Sequence, residues 1–349
     1  MKRYIIYLFG TTLCALVIAA TLSYFVDPGG VYHHDKGVVA AYPERLLSAV
    51  NGLSVPEGAV DEREAARALA PFASRFSCIV IGSSHVMQIS SVRLARSLAT
   101  ECPDLLNLGV SGAGIEDHLI LVHQILSGKS AQKIVLGMDP WVFMYGRDSG
   151  HRIDYLRARH DILGDKQALA VGDEPGKLAN LLNGQYVWRS MNMLLQHGGI
   201  DSISESLPVD PEVGGEHAVR LRDGSLVYSA SYIRDSMKVP SGCGPSYHTD
   251  HYQVQPWATE DYRRLIRWIK AHGAEPVFLM TPYHIGVFDC PNSPNMRAIQ
   301  ATAAVITRLA KEEQVRALGS YDPRTIGCQP DEFYDFMHPK ASCLAKIEG

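Results

Sequence analysis

The sequence lacks an excess of positive charge. Its 349 residues include 33 Lys and Arg against 37 Asp and Glu, which gives a formal net charge of −4 at pH 7. Proteins that bind nucleic acids present a basic surface to the phosphate backbone, so the composition argues against a nucleic-acid partner. Repeats and low-complexity tracts are also absent. With 46% hydrophobic and 20% charged residues, the chain is globular in type and long enough for one sizeable core.

Cys-x-x-Cys pairs are absent too, which argues against a zinc site built from thiolates. Cys14 lies in an apolar N-terminal run, and the remaining cysteines are an even number. We expect disulfide bonds, formed in an oxidising compartment, for some of these: Cys78, Cys102, Cys243, Cys290, Cys328 and Cys343. Two polar clusters, His33-His34-Asp35 and His248-Thr249-Asp250-His251, contain metal-ligand residue types, but we interpret them as solvated loops and predict no metal site.

Charge is absent from a long N-terminal stretch. No charged residue occurs from Tyr4 to Val26, and Lys2 and Arg3 lie just before it. At 1.5 Å per residue this run of about 23 residues makes a helix of about 35 Å, enough to cross a hydrocarbon core of about 30 Å. The basic pair keeps the N-terminus inside. We therefore predict a single-pass transmembrane signal anchor over residues 1–26, with the body of the protein outside the cytoplasm.

A cleaved signal peptide is the alternative interpretation of this run, because Ala19-Ala20-Thr21 offers small residues for cleavage. The apolar run continues past that point through Tyr24 and Phe25, which favours an anchor that is retained. Residues 27–70 then form a leader punctuated by glycine and proline. We predict that this leader tethers the following domain above the bilayer.

Strands and helices alternate in the domain predicted over residues 71–349. Alternation of this kind predicts an α/β fold with a parallel sheet, right-handed crossovers and both faces covered. The predicted strands are short apolar runs at 78–81, 105–108, 133–138, 276–280 and 315–318. The pattern lapses at about 142–257, which we interpret as a mainly helical insertion that shapes the substrate groove. Asp223-Gly224 predicts a hairpin-like reversal within it.

Two stretches carry the residue types of a nucleophilic acyl-transfer site. Gly82-Ser83-Ser84 follows the first strand, where open α/β sheets place their chemistry. Asp335-Phe336-Met337-His338 follows the last strand and supplies a carboxylate and an imidazole. Serine alone is a poor nucleophile, so a histidine must take its proton and an acid must hold the histidine tautomer. We predict that Ser84, His338 and Asp335 meet.

In order and spacing these stretches resemble the conserved blocks of the SGNH (GDSL-like) hydrolase superfamily. Gly82-Ser83-Ser84 stands where the family has Gly-Asp-Ser, and Asp335 to Pro339 matches its Asp-x-x-His-Pro. Two further segments, Asn107 to Gly112 and Ala274 to Met280, resemble its second block and the strand of its fourth. The resemblance implies a three-layer α/β/α, flavodoxin-like fold and no cofactor. It implies Ser84 as nucleophile, Asp335 and His338 as acid and base, and the N–H groups of Ser84 and Gly112 as the oxyanion hole.

The third block departs from the family pattern. The family has Gly-x-Asn-Asp there, whose Asn amide is a third oxyanion donor, whereas this chain has Gly137-Met138-Asp139-Pro140. An ionised aspartate accepts hydrogen bonds and cannot donate one. Three alternatives stay open: Asp139 binds substrate, or it holds a proton, or the oxyanion hole has only two backbone donors.

The anchor, the doubled serine and Pro140-Trp141-Val142-Phe143 together resemble a membrane-tethered branch that acts in cell-envelope polymer acylation, as in lipoteichoic-acid D-alanylation and alginate O-acetylation. The resemblance implies acyl transfer or ester hydrolysis on a cell-envelope glycan at the periplasmic face of the inner membrane. It also implies a multi-pass O-acyltransferase as partner. A non-catalytic binding or scaffold subunit is the main alternative, and a secreted esterase is a third that the anchor disfavours.

Overall fold

The computed structural model describes residues 2–27, 32, 38–93, 98–127, 133–144, 153–166, 178, 181–195, 202–236 and 253–347. It begins with the predicted apolar helix, α1 (Lys2–Val26). Arg3–Val26 is long and apolar enough to cross a membrane, and none of its most apolar stretch is buried in the protein. The predicted apolar helix of membrane-spanning length is therefore confirmed.

Further helices follow along the chain: α2 (Val38–Ser48), α3 (Glu62–Leu69), α4 (Ile115–Ser127), α5 (Ile153–Leu163), α6 (Gly184–Leu195), α7 (Ala230–Ser236), α8 (Pro256–Ala271), α9 (Pro294–Glu312), α10 (Pro323–Ile326) and α11 (Ala341–Leu344). The strands are β1 (Leu53–Val55), β2 (Cys78–Ile81), β3 (Leu105–Asn107), β4 (Lys133–Gly137), β5 (Ser204–Glu205), β6 (Ala218–Arg220), β7 (Leu226–Val227), β8 (Glu275–Met280) and β9 (Arg316–Gly319).

The centre of the fold is a five-stranded sheet in the order β3-β2-β4-β8-β9. Every neighbouring pair is parallel, and each strand lies within one residue of its predicted bounds. The chain passes from β2 to β3 on one side and then to β4 on the other side of β2. The carboxyl end of β2 is therefore a topological switch point, where open α/β sheets form their crevice.

Both faces of the sheet are covered, because successive side chains of a strand point to opposite sides. Ile79 and Ile81 of β2 belong to a core formed with α4, α8 and α9. Cys78 and Val80 belong to a second core, on the other side, formed with the segment after β2 and the C-terminal helix α11. The predicted α/β fold with a buried parallel sheet is confirmed.

The leader differs from the predicted tether. β1 pairs antiparallel with β5 and β6, and the sheet β5-β1-β6-β7 joins the leader to the insertion. Tyr42, Leu46 and Leu53 are buried in the main core, so residues 38–70 are part of the folded body. The insertion likewise supplies three strands as well as helices. Its predicted hairpin is confirmed, because β6 pairs with β7 across Asp223-Gly224.

Disulfide bonds join Cys78 to Cys102 and Cys328 to Cys343. Cys290 is disulfide-bonded as well, and Cys243 lies outside the described residues, whereas Cys14 in α1 is free and exposed. The first bridge ties the start of β2 to the segment before β3. The second closes the loop that carries Asp335 and His338. Disulfides thus hold both of the segments that the sequence singles out for chemistry.

Candidate active site

Ser84 opens a short 3₁₀ turn, Ser84–Val86, at the carboxyl end of β2. The side chain of the preceding Ser83 is fully buried and accepts a hydrogen bond from the N–H of His85 at 3.1 Å. Ser83, which stands where the SGNH family has aspartate, is therefore the N-cap of this turn. Ser84 is only partly buried, so its hydroxyl is the accessible one of the pair.

Three predicted residues form a continuous chain of hydrogen bonds. The Ser84 Oγ lies 2.8 Å from the His338 Nε2, and the His338 Nδ1 lies 2.8 Å from the Asp335 Oδ2. A serine, a histidine and an aspartate in this order can pass a proton from the hydroxyl to the imidazole. The structure thus brings together two segments that lie 254 residues apart in the sequence.

The orientation of the acid is fixed by its own turn. The Asp335 Oδ1 accepts hydrogen bonds from the N–H groups of Met337 at 2.7 Å and His338 at 2.8 Å. Burial alone raises the pKa of Asp335, but its hydrogen bond to the His338 ring, the His338 charge and these two N–H groups outweigh burial and lower it. Asp335 is therefore an ionised acceptor at neutral pH, which keeps the proton of His338 on Nδ1.

Gly112, in the loop after β3, has an unused backbone donor. Among the described residues, no acceptor takes the N–H of Gly112 or that of Ser84. The neighbouring N–H groups of the same loop all donate to protein acceptors: Leu108, Gly109, Val110, Ser111, Ala113 and Gly114. Gly112 has a φ of +60°, a conformation that glycine adopts without a Cβ penalty. Two free donors at this place are what an oxyanion hole requires.

The loop that carries Gly112 is braced from both sides. The Asn107 side chain donates to the carbonyl oxygens of Val86 at 2.7 Å and Ile89 at 2.9 Å, and it accepts from the Gly109 N–H at 2.8 Å. From the leader, Arg63 pairs with Asp117 at 2.9 Å and donates to the Gly112 carbonyl at 3.4 Å. The sequence did not single out Arg63, because its partners lie about fifty residues away.

Asp139 lies below the site, against His85. Its carboxylate is 1% exposed, and its Oδ1 is 2.8 Å from the Nδ1 of the fully buried His85. The two atoms are not aligned as a hydrogen bond, and neither has a hydrogen-bond partner among the described residues. The contact is a close approach of a carboxylate and an imidazole. Burial leaves Asp139 no surface for a substrate, so we assign it to His85 and no longer to substrate binding.

The His85 ring in turn packs beside the imidazole of the site. Three rings contact it edge to face, those of Trp141, Tyr283 and His338, each with centroids 5.2 Å away. The Trp141 Nε1 donates to the Ala113 carbonyl at 2.9 Å. The segments after β2, β3, β4 and β8 thus meet around one buried imidazole, which fixes the plane of the His338 ring.

The insertion reaches the site through α7. The Tyr232 hydroxyl lies 3.3 Å from the His338 Nδ1, and the Tyr232 ring stacks on that of Tyr228 at 4.2 Å. Burial, and next the nearby charge of Asp335, raise the pKa of Tyr232, so its hydroxyl stays neutral. The sequence missed Tyr232, because its contact with Tyr228 forms across the turn that joins β7 to α7 and no helical spacing indicates it.

No group of three or more metal-ligating side chains occurs among the described residues, and the two histidine clusters at 33–35 and 248–251 lie outside them. No protein-family model matches the sequence, and no curated protein matches it significantly. Function is therefore inferred from the side chains and backbone groups of the site.

Proposed function

We propose that the chain is a membrane-anchored serine acyltransferase or esterase of SGNH type. The observation that carries the proposal is the hydrogen-bonded series Ser84, His338 and Asp335, with both links at 2.8 Å. The free N–H groups of Ser84 and Gly112 are consistent with it, because an oxyanion hole needs backbone donors that the fold leaves unused. A three-layer α/β/α, flavodoxin-like arrangement of the SGNH kind accommodates the five-stranded parallel sheet and this site.

The reaction begins when the Ser84 Oγ attacks the carbonyl carbon of an ester or acyl donor. The His338 Nε2 takes the serine proton, and the imidazolium that forms is stabilised by Asp335. The tetrahedral oxyanion receives hydrogen bonds from the N–H groups of Ser84 and Gly112. When the intermediate collapses, His338 returns the proton to the leaving oxygen, and the acyl group stays on Ser84 as an ester.

The second half-reaction repeats these steps with a new nucleophile. His338 takes a proton from a sugar hydroxyl or from water, whose oxygen then attacks the acyl-serine. Collapse releases the acylated sugar or the free acid and returns the proton to Ser84. Asp139 holds the buried His85 behind His338, so the oxyanion hole has two backbone donors. Loss of one donor costs about 10²–10³ in turnover in other enzymes, and we expect a slow enzyme.

We propose a cell-envelope glycan as the acyl acceptor, at the periplasmic side of the inner membrane. The apolar helix α1 supports anchorage by length and composition, and the disulfide bonds Cys78–Cys102 and Cys328–Cys343 suit an oxidising compartment. A multi-pass O-acyltransferase in the same membrane would bring the acyl group to Ser84. No nucleic acid and no cofactor enters this scheme.

A non-catalytic scaffold subunit is the second candidate. Asp139 favours it, because a buried carboxylate stands where the SGNH family has a donor amide. A chain of this kind would keep the fold and bind a glycan without forming an acyl-serine. A secreted esterase is disfavoured by α1, whose surface is exposed along most of its length.

A serine-directed fluorophosphonate tests the proposal on the full-length protein in detergent. We expect covalent labelling at Ser84, no labelling of Ser84→Ala or His338→Ala, and labelling of Asp335→Asn that is slower by orders of magnitude because the imidazole tautomer is lost. Ser83→Ala is the matched control, since it changes the neighbouring buried hydroxyl, and it should still be labelled. Equal labelling of the wild type and Ser84→Ala, or none of either with the fold intact, would leave the scaffold function.

A further inference from the structure

Helix α6, in the insertion, packs against the last two turns of α1. The Tyr186 hydroxyl of α6 donates to the Asp27 Oδ1 at 2.6 Å, just past the end of α1. One side of α1 is covered between Ala19 and Val26, where Ser23 is fully buried. Residues 3–18 are exposed. Ser190 of α6 is also fully buried. Small buried residues on both helices allow close approach.

The outer side of α6 presents an apolar stripe to its surroundings. Trp188 is 61% exposed, Met191 40% and Leu194 56%. A spacing of three residues places these side chains on one face of the helix. Large apolar patches of this kind mark surfaces that are covered in the working protein.

We infer that α6 is a second membrane contact, an interfacial helix that lies in the outer boundary of the bilayer beside α1. The inference rests on the membrane anchorage proposed above. The 24 residues of the candidate span make about 36 Å of helix, against a hydrocarbon core of about 30 Å. The part of α1 that α6 covers, Ala19–Val26, is the last 12 Å or so of this length. When α1 crosses the bilayer, α6 reaches the boundary between headgroups and acyl chains.

The polar groups of the contact lie at the level expected of the membrane surface. Asp27 accepts from the Tyr186 hydroxyl and, at 2.9 Å, from the Tyr32 N–H, so its charge is satisfied where α1 ends. Tyr24, three residues before Asp27 on α1, is exposed, and so is Trp188, two residues after Tyr186 on α6. Tyrosine and tryptophan are enriched at such boundaries because their rings are apolar and their edges polar. A bilayer therefore fits this face, since α6 packs on a helix whose exposed apolar surface a bilayer would cover.

The consequence concerns the site. α6 belongs to the same insertion as α7, which brings Tyr232 to His338. Two membrane contacts, one from the anchor and one from the insertion, restrict the rotation of the domain about α1. The insertion that borders the serine then faces the bilayer surface, where a membrane-bound donor would present an acyl group.

Tryptophan quenching tests the inference on the full-length protein in phosphatidylcholine vesicles. The probe is phosphatidylcholine brominated either near the carbonyl end or near the methyl end of its acyl chains. We expect the shallow bromines to quench a component of the emission, the deep bromines to quench it less, and W188F to lose that component. W268F is the matched control, because Trp268 packs on His123 of the folded body, and it should keep the quenching.

A charged variant provides a second measurement. The double change Met191→Glu and Leu194→Glu places two carboxylates in the stripe, and we expect lost quenching and a red-shifted Trp188 emission while the protein still floats with the vesicles. Leu207→Glu, at an exposed apolar residue outside α6, should change neither signal. Equal quenching of wild type and W188F in floating protein would overturn the inference and leave the anchor standing.

Two further outcomes separate the remaining possibilities. A blue-shifted Trp188 emission in native membranes without quenching in pure lipid would assign the face to a protein partner and overturn the lipid assignment. Protein that fails to float with vesicles would remove the anchorage, and the inference with it. Neither outcome bears on labelling of Ser84, so the acyl-transfer proposal is tested separately.

Discussion

The Tyr232 hydroxyl lies 3.3 Å from the His338 Nδ1, the same ring nitrogen that lies 2.8 Å from the Asp335 Oδ2. One N–H group therefore faces two oxygen acceptors, a carboxylate and a neutral hydroxyl. Asp335 comes from the loop after β9 and Tyr232 from the insertion, so the environment of the base is completed by a segment outside the regular α/β fold.

Tyr232→Phe should slow labelling of Ser84 by about threefold to tenfold. The change removes an oxygen that helps to stabilise the imidazolium, and a hydrogen bond of this length to a charged group contributes about 1 kcal/mol. Tyr228→Phe is the control, because it keeps the ring that stacks on Tyr232 and leaves the Tyr232 oxygen beside the His338 Nδ1. Rates should be compared at equal folded fraction, and equal slowing of both variants would contradict a role for the Tyr232 oxygen.

Asp139→Asn should destabilise the fold by about 1–3 kcal/mol, because it changes the buried carboxylate that lies 2.8 Å from the His85 Nδ1. A neutral amide of the same shape would instead raise activity if this position faced the oxyanion. Denaturant titration and Ser84 labelling distinguish the two cases. In the double variant Asp139→Asn/His85→Gln, the loss of unfolding free energy should be smaller than the sum of the losses in the two single variants, as for any pair in contact. A more active and equally stable Asp139→Asn would return Asp139 to the oxyanion hole.

The Cys328–Cys343 bridge encloses Asp335 and His338 and should affect reactivity as well as stability. A bridge over 15 residues contributes about 3 kcal/mol by limiting the unfolded chain, and Cys78–Cys102 spans 24 residues and should contribute a similar amount. Replacing either pair by serine should lower the melting temperature comparably. Only the Cys328–Cys343 variant should label slowly at temperatures where both are folded, since the Ser84 segment stays held by the pairing of β2 with β3 and β4, whereas the loop of the base loosens. Equal loss of labelling in both variants would argue that the bridges act through overall stability.

Glu101 links the amino ends of two strands and should make stability depend on acid pH. It accepts from both Arg316 nitrogens at 2.7 Å and from Lys133 at 2.8 Å, and these hydrogen bonds, Arg316 first, lower its pKa to about 2. Because the folded pKa lies below the unfolded value of about 4.3, its contribution is present above that value and is lost as the pH falls towards 2. Glu101→Gln should therefore lower the melting temperature at neutral pH. The difference in melting temperature between wild type and variant should disappear as the pH falls from about 4.3 to about 2. Glu312→Gln, at an exposed single pair, should show little pH-dependent gap.

The sequence predicts the five parallel strands because each is a short apolar run whose burial depends on its own residues. It could not predict β1, which has only three residues and whose partners lie in the insertion, far along the chain. The interpretation of the leader as a tether was wrong for that reason. Proline and glycine between short elements indicate a loop when the pairing partner is not visible.

The site divides in the same way. Ser84, Asp335 and His338 stand in local motifs, so the sequence could name them, and the structure adds the contact between them. Three other residues contact the site from distant parts of the chain. Arg63 donates to the Gly112 carbonyl, Asn107 donates to the Val86 carbonyl in the turn after Ser84, and the Tyr232 hydroxyl lies beside the His338 Nδ1. No local pattern encodes such contacts. The sequence singled out Asp139 by its position after β4. Its contact with His85 depends on how the two side chains are buried together, and only the packed core shows that.

The pairing of β1 with β6 also sets an order of events during synthesis. Ser54 pairs with Val219, so β1 is made about 165 residues before its partner, roughly 10 to 30 s earlier at about 5–20 residues per second. During that interval Leu53 has no sheet to join, and the leader stays unfolded next to the anchor. We expect the nascent leader to need protection by a chaperone until the insertion has emerged. The main sheet is completed later still, because β8 and β9 follow the second sheet along the chain.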